Sequence, residues 1–202
     1  MNKGIFIVFE GIDGSGTTSN SKLITAWLEK LGYPTIWTSE PTQSDIGMLI
    51  KKKLKTPTLD PHIDALLFAA DRIWHIEKII KPNLEKGYIV ISDRYFESSI
   101  AYQGAQGVDI KWIQLINKNI ISPDITIILD ISPEKSLERI KNREIKEKFE
   151  SVDFLKKVRE IYLTRAKIKK YYIIDAEKEI KNIQEKIKNI ILRYIRENYS
   201  SE

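Results

Sequence analysis

The sequence predicts an α/β fold, a five-stranded parallel sheet flanked by helices. Three observations lead there. Short, almost continuously apolar runs recur along the chain, as strands buried on both faces require. Segments with helical periodicity separate them, the pattern that gives parallel strands their crossovers. No linker, repeat or low-complexity tract interrupts the 202 residues, which suits one domain spanning 1–202 with a sizeable core.

The elements follow in order. Ile5-Phe6-Ile7-Val8-Phe9 is the first strand. Gly11 to Gly16 make a glycine-rich turn. The helix starting near Thr17 carries Leu23, Ile24, Trp27, Leu28 and Leu31 and stops at Gly32. Thr35-Ile36-Trp37-Thr38 is a short second strand, and 60–85 is mostly helical up to Gly87. Tyr88-Ile89-Val90-Ile91 is the third strand and runs into Ser92-Asp93-Arg94. Helices fit 96–104 and 109–120. Asp124 to Leu129 is the fourth strand and Tyr172-Ile173-Ile174 the fifth. A strongly charged helical segment, 134–170, lies between those two, and an amphipathic helix covers 177–197.

Composition narrows the function classes. A chain 42% hydrophobic and 30% charged is ordinary for a soluble globular protein. No apolar run approaches the roughly 18–20 residues of a membrane span, and no signal-peptide layout is visible, so no membrane partner is expected. The absence of cysteine excludes disulfides and thiolate metal sites and agrees with a reducing cytoplasm. The net charge of +5 suits anionic small molecules. Basic residues are interleaved with acidic ones and no aromatic-and-basic stripe is present, so no nucleic-acid partner is expected.

Gly11-Ile12-Asp13-Gly14-Ser15-Gly16-Thr17-Thr18 matches the phosphate-loop pattern G-x-x-x-x-G-K-[ST] except at the lysine, where Thr17 stands. Such glycines let backbone N–H groups converge on an anion at a helix N-terminus, and the Thr18 hydroxyl is placed to reach Mg²⁺. The position after a buried strand and before a helix makes the fold of the P-loop nucleoside-triphosphatase type, with ATP and Mg²⁺ expected. The missing lysine normally places a point charge on the β- and γ-phosphates, whereas Thr17 offers one neutral hydrogen bond at most. Two readings stay open: another cation substitutes, or transfer is impaired. Lys22 lies too far along the helix to be a comfortable substitute.

Ser92-Asp93-Arg94-Tyr95 follows the third strand and so emerges at the carboxyl edge of the sheet beside the phosphate loop. An acid there can hold magnesium through water, and an arginine can bridge donor and acceptor phosphates. Taken alone, the Asp-Arg pair reads more readily as a surface salt bridge.

The stretch from Asp93 through Gly104, with Arg94, Ser98, Ser99, Ala101, Tyr102 and Gln103, closely resembles the D-R-[YH]-x-x-S-[STN]-x-A-Y-Q-G signature of thymidylate kinases. Phe9-Glu10-Gly11, Glu40-Pro41, Leu67-Phe68-Ala69-Ala70-Asp71-Arg72 and Pro123-Asp124 with Leu129-Asp130 are similar to further motifs of that family, so the resemblance spans residues 5–165. It implies transfer of the γ-phosphoryl group of ATP–Mg²⁺ to thymidine monophosphate. Phe68 would stack on thymine, Arg72 would donate to its exocyclic oxygen, and Ser99 would bond the base edge. Tyr102 would pack where a ribose 2′-hydroxyl would collide. Asp13 would reach the sugar 3′-hydroxyl, and Arg94 the acceptor phosphate. Gly11, Gly14, Ser15, Gly16 and Thr17, with Asp13 and Thr18, would cradle ATP, while Thr18 and Asp93 would hold the metal.

A lid at 139–150 would bring Arg139 to the adenine and Arg143 to the transferring phosphoryl group, with Lys146 and Lys148 as second choices. Lys148-Phe149-Glu150 departs from the family's [R]-[FY]-E, and Ser39 stands where many members have arginine. The resemblance also implies a homodimer formed through helices on one side of the sheet. A phosphate monoester is already largely dianionic, with a second pKa of about 6, so no general base is required; His62 and His75 lie outside the motifs and are expected to be incidental. Three alternatives remain beside this reading: a catalytically impaired nucleotide-binding relative, a kinase for another pyrimidine nucleotide or a deoxynucleoside, and a nucleic-acid-binding module using the basic surface.

Overall fold

The computed structural model describes residues 4–56, 60–141 and 151–199. Its centre is a five-stranded, all-parallel sheet: β1 (Ile5–Glu10), β2 (Thr35–Ser39), β3 (Ile89–Asp93), β4 (Ile125–Asp130) and β5 (Tyr172–Asp175). The spatial order is β2-β3-β1-β4-β5, with β1 in the middle. Alternation along β1 divides the core. Ile5, Ile7 and Phe9 pack into the larger cluster with Ile24, Leu28, Leu155 and Ile187, while Phe6 and Val8 join Ile76, Ile80, Val90 and Tyr95 on the other face. A strand buried on both faces must be apolar at every position, which is why β1 reads as an unbroken run.

The helices among the described residues are α1 (Thr17–Lys30), α2 (Asp45–Lys53), α3 (Pro61–His75), α4 (Lys81–Glu85), α5 (Phe96–Ala105), α6 (Ile110–Ile116), α7 (Pro133–Ile140), α8 (Val152–Lys169) and α9 (Ile180–Tyr199). The five expected strands are present within a residue or so of their expected ends.

Three helical expectations are refined. Helix α2 has no counterpart in the sequence reading. Its start is made by Ser44, whose hydroxyl accepts from Gly47 N at 3.0 Å, and its charges run from Asp45 to Lys51, Lys52 and Lys53, complementing the helix dipole. The expected helix over 60–85 holds, but Ile76–Ile80 widens into a π-helical turn between α3 and α4. Pro82, just beyond, has no N–H to continue the α-helical ladder. The helix expected over 109–120 ends at Ile116, because Asn117 turns inward and donates from its amide to Ile113 O at 2.8 Å.

Candidate active site

Strand register brings the site together. Phe9 pairs with Asp93, and Asp93 with Ser39, so the residues after β1, β3 and β2 leave the sheet side by side at its carboxyl edge. Arg94 N donates to Phe9 O at 2.8 Å and Glu40 N to Asp93 O at 3.1 Å, which extends the pairing one step past the strands. The loop between β1 and α1 then curls under the α1 N-terminus. Gly14 there has φ +79°, and a Cβ on it would sit 2.6 Å from Ser136 O of α7, so backbone conformation and neighbour both demand glycine. Ser136 donates its hydroxyl to Asp13 O, tying α7 to the loop.

Two cavities open from this edge, and Asp13 and Arg94 line both of them. The first is closed by Glu40, Phe68, Ser99, Tyr102 and Gln103. The second, about 520 Å³, runs over Gly14, Ser15, Gly16, Thr17 and Thr18 to Arg139, Ala176 and Ile183. Asp13 and Arg94 form an ion pair of 2.5 Å on the shared wall. Arg94 also donates to Gly11 O at 2.7 Å and Ser98 Oγ at 3.2 Å, and its guanidinium lies 5.4 Å from the Tyr102 ring centre. Its backbone is left-handed, φ +73°, a strained state for a residue with a Cβ and one that recurs at functional positions. Burial opposes its charge, but the Tyr102 and Asp13 side chains push its pKa well above the usual arginine value, so it stays cationic. The Tyr102 hydroxyl donates to Asp13 Oδ2 and accepts from Asp13 N, both at 3.0 Å, and burial pushes that phenol up.

Between the loop and the end of β3, Thr18 Oγ1 donates to Asp93 Oδ2 at 2.5 Å. Asp93 Oδ1 is buried and has no hydrogen-bond partner among the described residues. A carboxylate oxygen left so is costly unless a cation or its water shell meets it, so this pair fits a hydrated divalent ion. No cluster of three acidic, histidine or cysteine side chains that could hold a metal ion exists among the described residues. Ser15 Oγ, in the loop itself, is likewise buried without a partner among them.

At the base end, Phe68, Ser99 and Tyr102 face the first cavity, while Arg72 stands behind them with zero exposure. Arg72 donates to Ser99 Oγ at 3.0 Å, to Glu40 Oε2 from Nε and Nη2 at 3.0 and 2.8 Å, and to Asn117 Oδ1 at 2.6 Å. Arg139 donates to Gly14 O at 3.3 Å and Ala176 O at 2.8 Å, spanning the rim of the second cavity. Lys22 is exposed and sits 4.6 Å from the Trp37 ring centre, outside both cavities. Arg143, Lys146 and Lys148 lie outside the described residues.

Four side chains at the site were given no role from the sequence, although three of them, Gln103, Glu40 and Glu10, stand within its motifs. Gln103 is 1% exposed, lines the first cavity and leaves Oε1 without a partner among the described residues. Its signal was present, since it stands one turn beyond Ser99 on the same face of α5. Glu40 lines that cavity too. Glu10 is fully buried beneath it and accepts from Tyr95 N at 2.8 Å, Ser98 N at 3.2 Å, Ser98 Oγ at 2.6 Å and the Tyr162 hydroxyl at 2.9 Å. Tyr162 comes from α8, a partner no local pattern could announce. His75, expected to be incidental, is fully buried against Glu40, whereas His62 is exposed, hydrogen-bonds its neighbour Asp60 and packs edge-on against the Trp112 ring, 5.1 Å between centres.

Comparison with known proteins places the chain in a family. The family model described as "Thymidylate kinase" matches residues 9–187. The chain is 50% identical over 191 residues to "Probable thymidylate kinase" of Pyrobaculum calidifontis, covering 94% of this chain and 96% of that one. It is 43% identical over 199 residues to the protein of the same name from Thermococcus gammatolerans, covering 93% and 96%. A third, from Pyrococcus horikoshii, is 43% identical over 193 residues, covering 92% and 94%.

Proposed function

The chain belongs to the thymidylate kinase family, and on that premise we propose that it transfers the γ-phosphoryl group of ATP to thymidine monophosphate. The observation that carries the reading is the shared wall. Asp13 and Arg94 stand between a phosphate-loop cavity and a pocket lined by Phe68, Ser99, Tyr102 and Gln103, so a donor in one and an acceptor in the other meet at one arginine. Arg94 takes the acceptor phosphate and Asp13 the sugar 3′-hydroxyl. The main-chain N–H groups of the loop, with the Ser15 and Thr18 hydroxyls, hold the donor phosphates. Thr18 and Asp93 hold magnesium, which supplies charge neutralisation on the phosphate oxygens. Arg139 packs against the adenine.

The base pocket suits thymine by its hydrogen-bonding pattern. The thymine edge presents acceptor, donor, acceptor. Arg72, expected to donate to the exocyclic oxygen, is fully buried and would act on it through Ser99. Ser99 Oγ accepts from Arg72 and keeps its own proton to donate toward O4, while Gln103 Oε1, without a partner among the described residues, accepts from N3–H. Phe68 stacks on the ring and Tyr102 crowds the sugar 2′ position. The segment 139–150 serves as the lid of one domain, 1–202, and Arg143 is its catalytic cation. A reducing cytoplasm is the proposed compartment; no helix among the described residues is long and apolar enough to cross a membrane.

A coupled ADP-release assay tests the activity directly. Turnover is expected with thymidine monophosphate, and a preference for cytidine or uridine monophosphate would reject the thymidylate reading. In the same assay Thr17→Lys is expected to raise kcat roughly tenfold to a hundredfold by restoring a cation at the phosphates. An unchanged or lower kcat would show instead that the site is adapted around threonine.

The proposed homodimer has support in α3, whose polarity is inverted. Asp64, Asp71, Arg72 and His75 face inward, while Ile63, Leu66 and Ile73 are 43%, 51% and 53% exposed. With Ala70 they make a seam at intervals of three and four residues, and Met48 and Leu49 of the adjoining α2 extend it. Leu66→Glu with Ile73→Glu is expected to convert a dimer into a monomer in sedimentation equilibrium, weakening association by at least about 100-fold. A wild-type monomer would reject the dimer.

A further inference from the structure

Resting on the thymidylate reading of the base pocket, we propose that His75 is a positioning residue for base recognition: it holds the Glu40 carboxylate that fixes Arg72 behind Ser99. The arrangement is a buried chain of five side chains: Thr38 of β2, Glu40 just after it, Arg72 and His75 of α3, and Ser99 of α5. His75 Nδ1 lies 3.1 Å from Glu40 Oε1, and Nε2 lies 2.7 Å from Thr38 Oγ1. A carboxylate can only accept, so Nδ1 carries the proton toward Glu40 and Nε2 is left to the Thr38 hydroxyl. Both bonds from Arg72 to Glu40 fall on Oε2. The other oxygen, and with it the rotation of the carboxylate plane, is therefore set by His75.

Arg72 and His75 are both 0% exposed and Glu40 is 5% exposed, so water offers little substitute for a lost partner. The Arg72 guanidinium lies 5.4 and 5.8 Å from the Tyr95 and Phe96 ring centres and also donates to Asn117 Oδ1, Tyr95 O and Ser99 Oγ. The last of these fixes where the Ser99 hydroxyl proton points, toward the base. A second network secures the loop that carries Glu40: Asp71, one turn before His75, accepts from Thr42 N at 2.8 Å and from the Thr42 and Ser44 hydroxyls at 2.6 and 2.8 Å. With the loop held there, the carboxylate plane of Glu40 is the free variable, and His75 sets it. Among the described residues, none of the hydrogen bonds of this side-chain network reaches the phosphate loop, so its effect is expected at the base end.

The experiment is calorimetric binding of thymidine monophosphate, deoxycytidine monophosphate and ADP to wild type, His75→Leu, His75→Asn and His75→Gln, with thermal melting of each. In His75→Leu the affinity for thymidine monophosphate and its preference over the cytosine nucleotide are each expected to fall about tenfold, with ADP affinity unchanged. Asparagine places an amide N–H where Nδ1 stood and should restore both. Glutamine reaches the Nε2 position and should not, and this pair decides the matter even where the leucine variant fails to fold. Equal behaviour of the asparagine and glutamine variants, an undiminished preference in His75→Leu, or a matching loss of ADP affinity would each overturn the proposal. The wild-type measurements report separately on the thymidylate reading. A wild type that prefers another nucleotide removes that reading, while a His75-dependent change in whatever preference exists still scores the positioning role.

Discussion

Replacing Arg94 by methionine is expected to lower kcat/KM for thymidine monophosphate by roughly 10³-fold while ATP affinity changes little. Among the described residues Arg94 is the cation that lines both cavities, since Arg139 and Lys178 line only the second. The loop has no lysine to share the task, so more of the transition-state charge should fall on Arg94 than in a loop with the usual sequence. The site also holds it in place before substrate arrives. Gly11 O, Ser98 Oγ and Asp13 Oδ1 fix the guanidinium, and the left-handed backbone at φ +73° aims it back across the loop. A group positioned in advance loses little on reorganisation during transfer. Arg94→Lys keeps the charge but loses the planar fork, so an intermediate loss of roughly tenfold to a hundredfold is expected. Single-turnover kinetics beside nucleotide binding would separate the two effects. Turnover within about tenfold of wild type in Arg94→Met would move the catalytic charge to the lid.

The second large effect concerns stability and pH. Burial raises the Glu10 carboxyl from 4.5 to about 7, against the opposing pull of Ser98 and Arg94. The sign follows from proton counting. Between those two values the folded protein holds a proton that the unfolded chain has released, so stability falls as pH rises through the interval. The contribution is fully present below about 4.5 and lost above about 7. With 1.36 kcal/mol per pKa unit, Glu10 alone should cost about 3 kcal/mol of folding stability between pH 4.5 and pH 8. Glu10→Gln removes that dependence. Its amide oxygen can still accept from Tyr95 N and Ser98 N, and its NH₂ can donate to the Ser98 and Tyr162 hydroxyls. Denaturant titrations of both proteins at pH 5 and pH 8 should therefore diverge, with the variant flatter. Parallel pH dependence in the two would show that Glu10 stays ionised throughout.

Much of the architecture was legible because local pattern and global fold agree. An unbroken apolar run such as Ile5 to Phe9 has one stable destination, a strand covered on both faces, and the alternation of runs with helices dictates parallel crossovers. The glycines of the phosphate loop announce an anion site because no other residue fits where Gly14 meets Ser136. Asp93 and Arg94 could be placed at the carboxyl edge simply because they follow a strand. The π-helical turn at Ile76–Ile80 and the short α2 escaped because their signals are a single proline and a single serine cap.

What the sequence determined by itself is the sheet, the phosphate loop and the family whose motifs the chain carries, all matters of local periodicity and short-range spacing. Only the tertiary structure decided how the side chains are partnered. Glu10 gathers Tyr95 and Ser98 from across 85 and 88 residues and Tyr162 from across 152, and His75 meets Glu40 and Thr38 from across 35 and 37. A buried carboxylate takes whichever donors the packed elements deliver to it. That delivery depends on strand order and register, which bring β1, β2 and β3 to a common edge. The outward apolar face of α3 belongs to the same class: its inward face had to be polar to hold Glu40 and the Thr42 loop, and that demand exists only once the helix lies against β2.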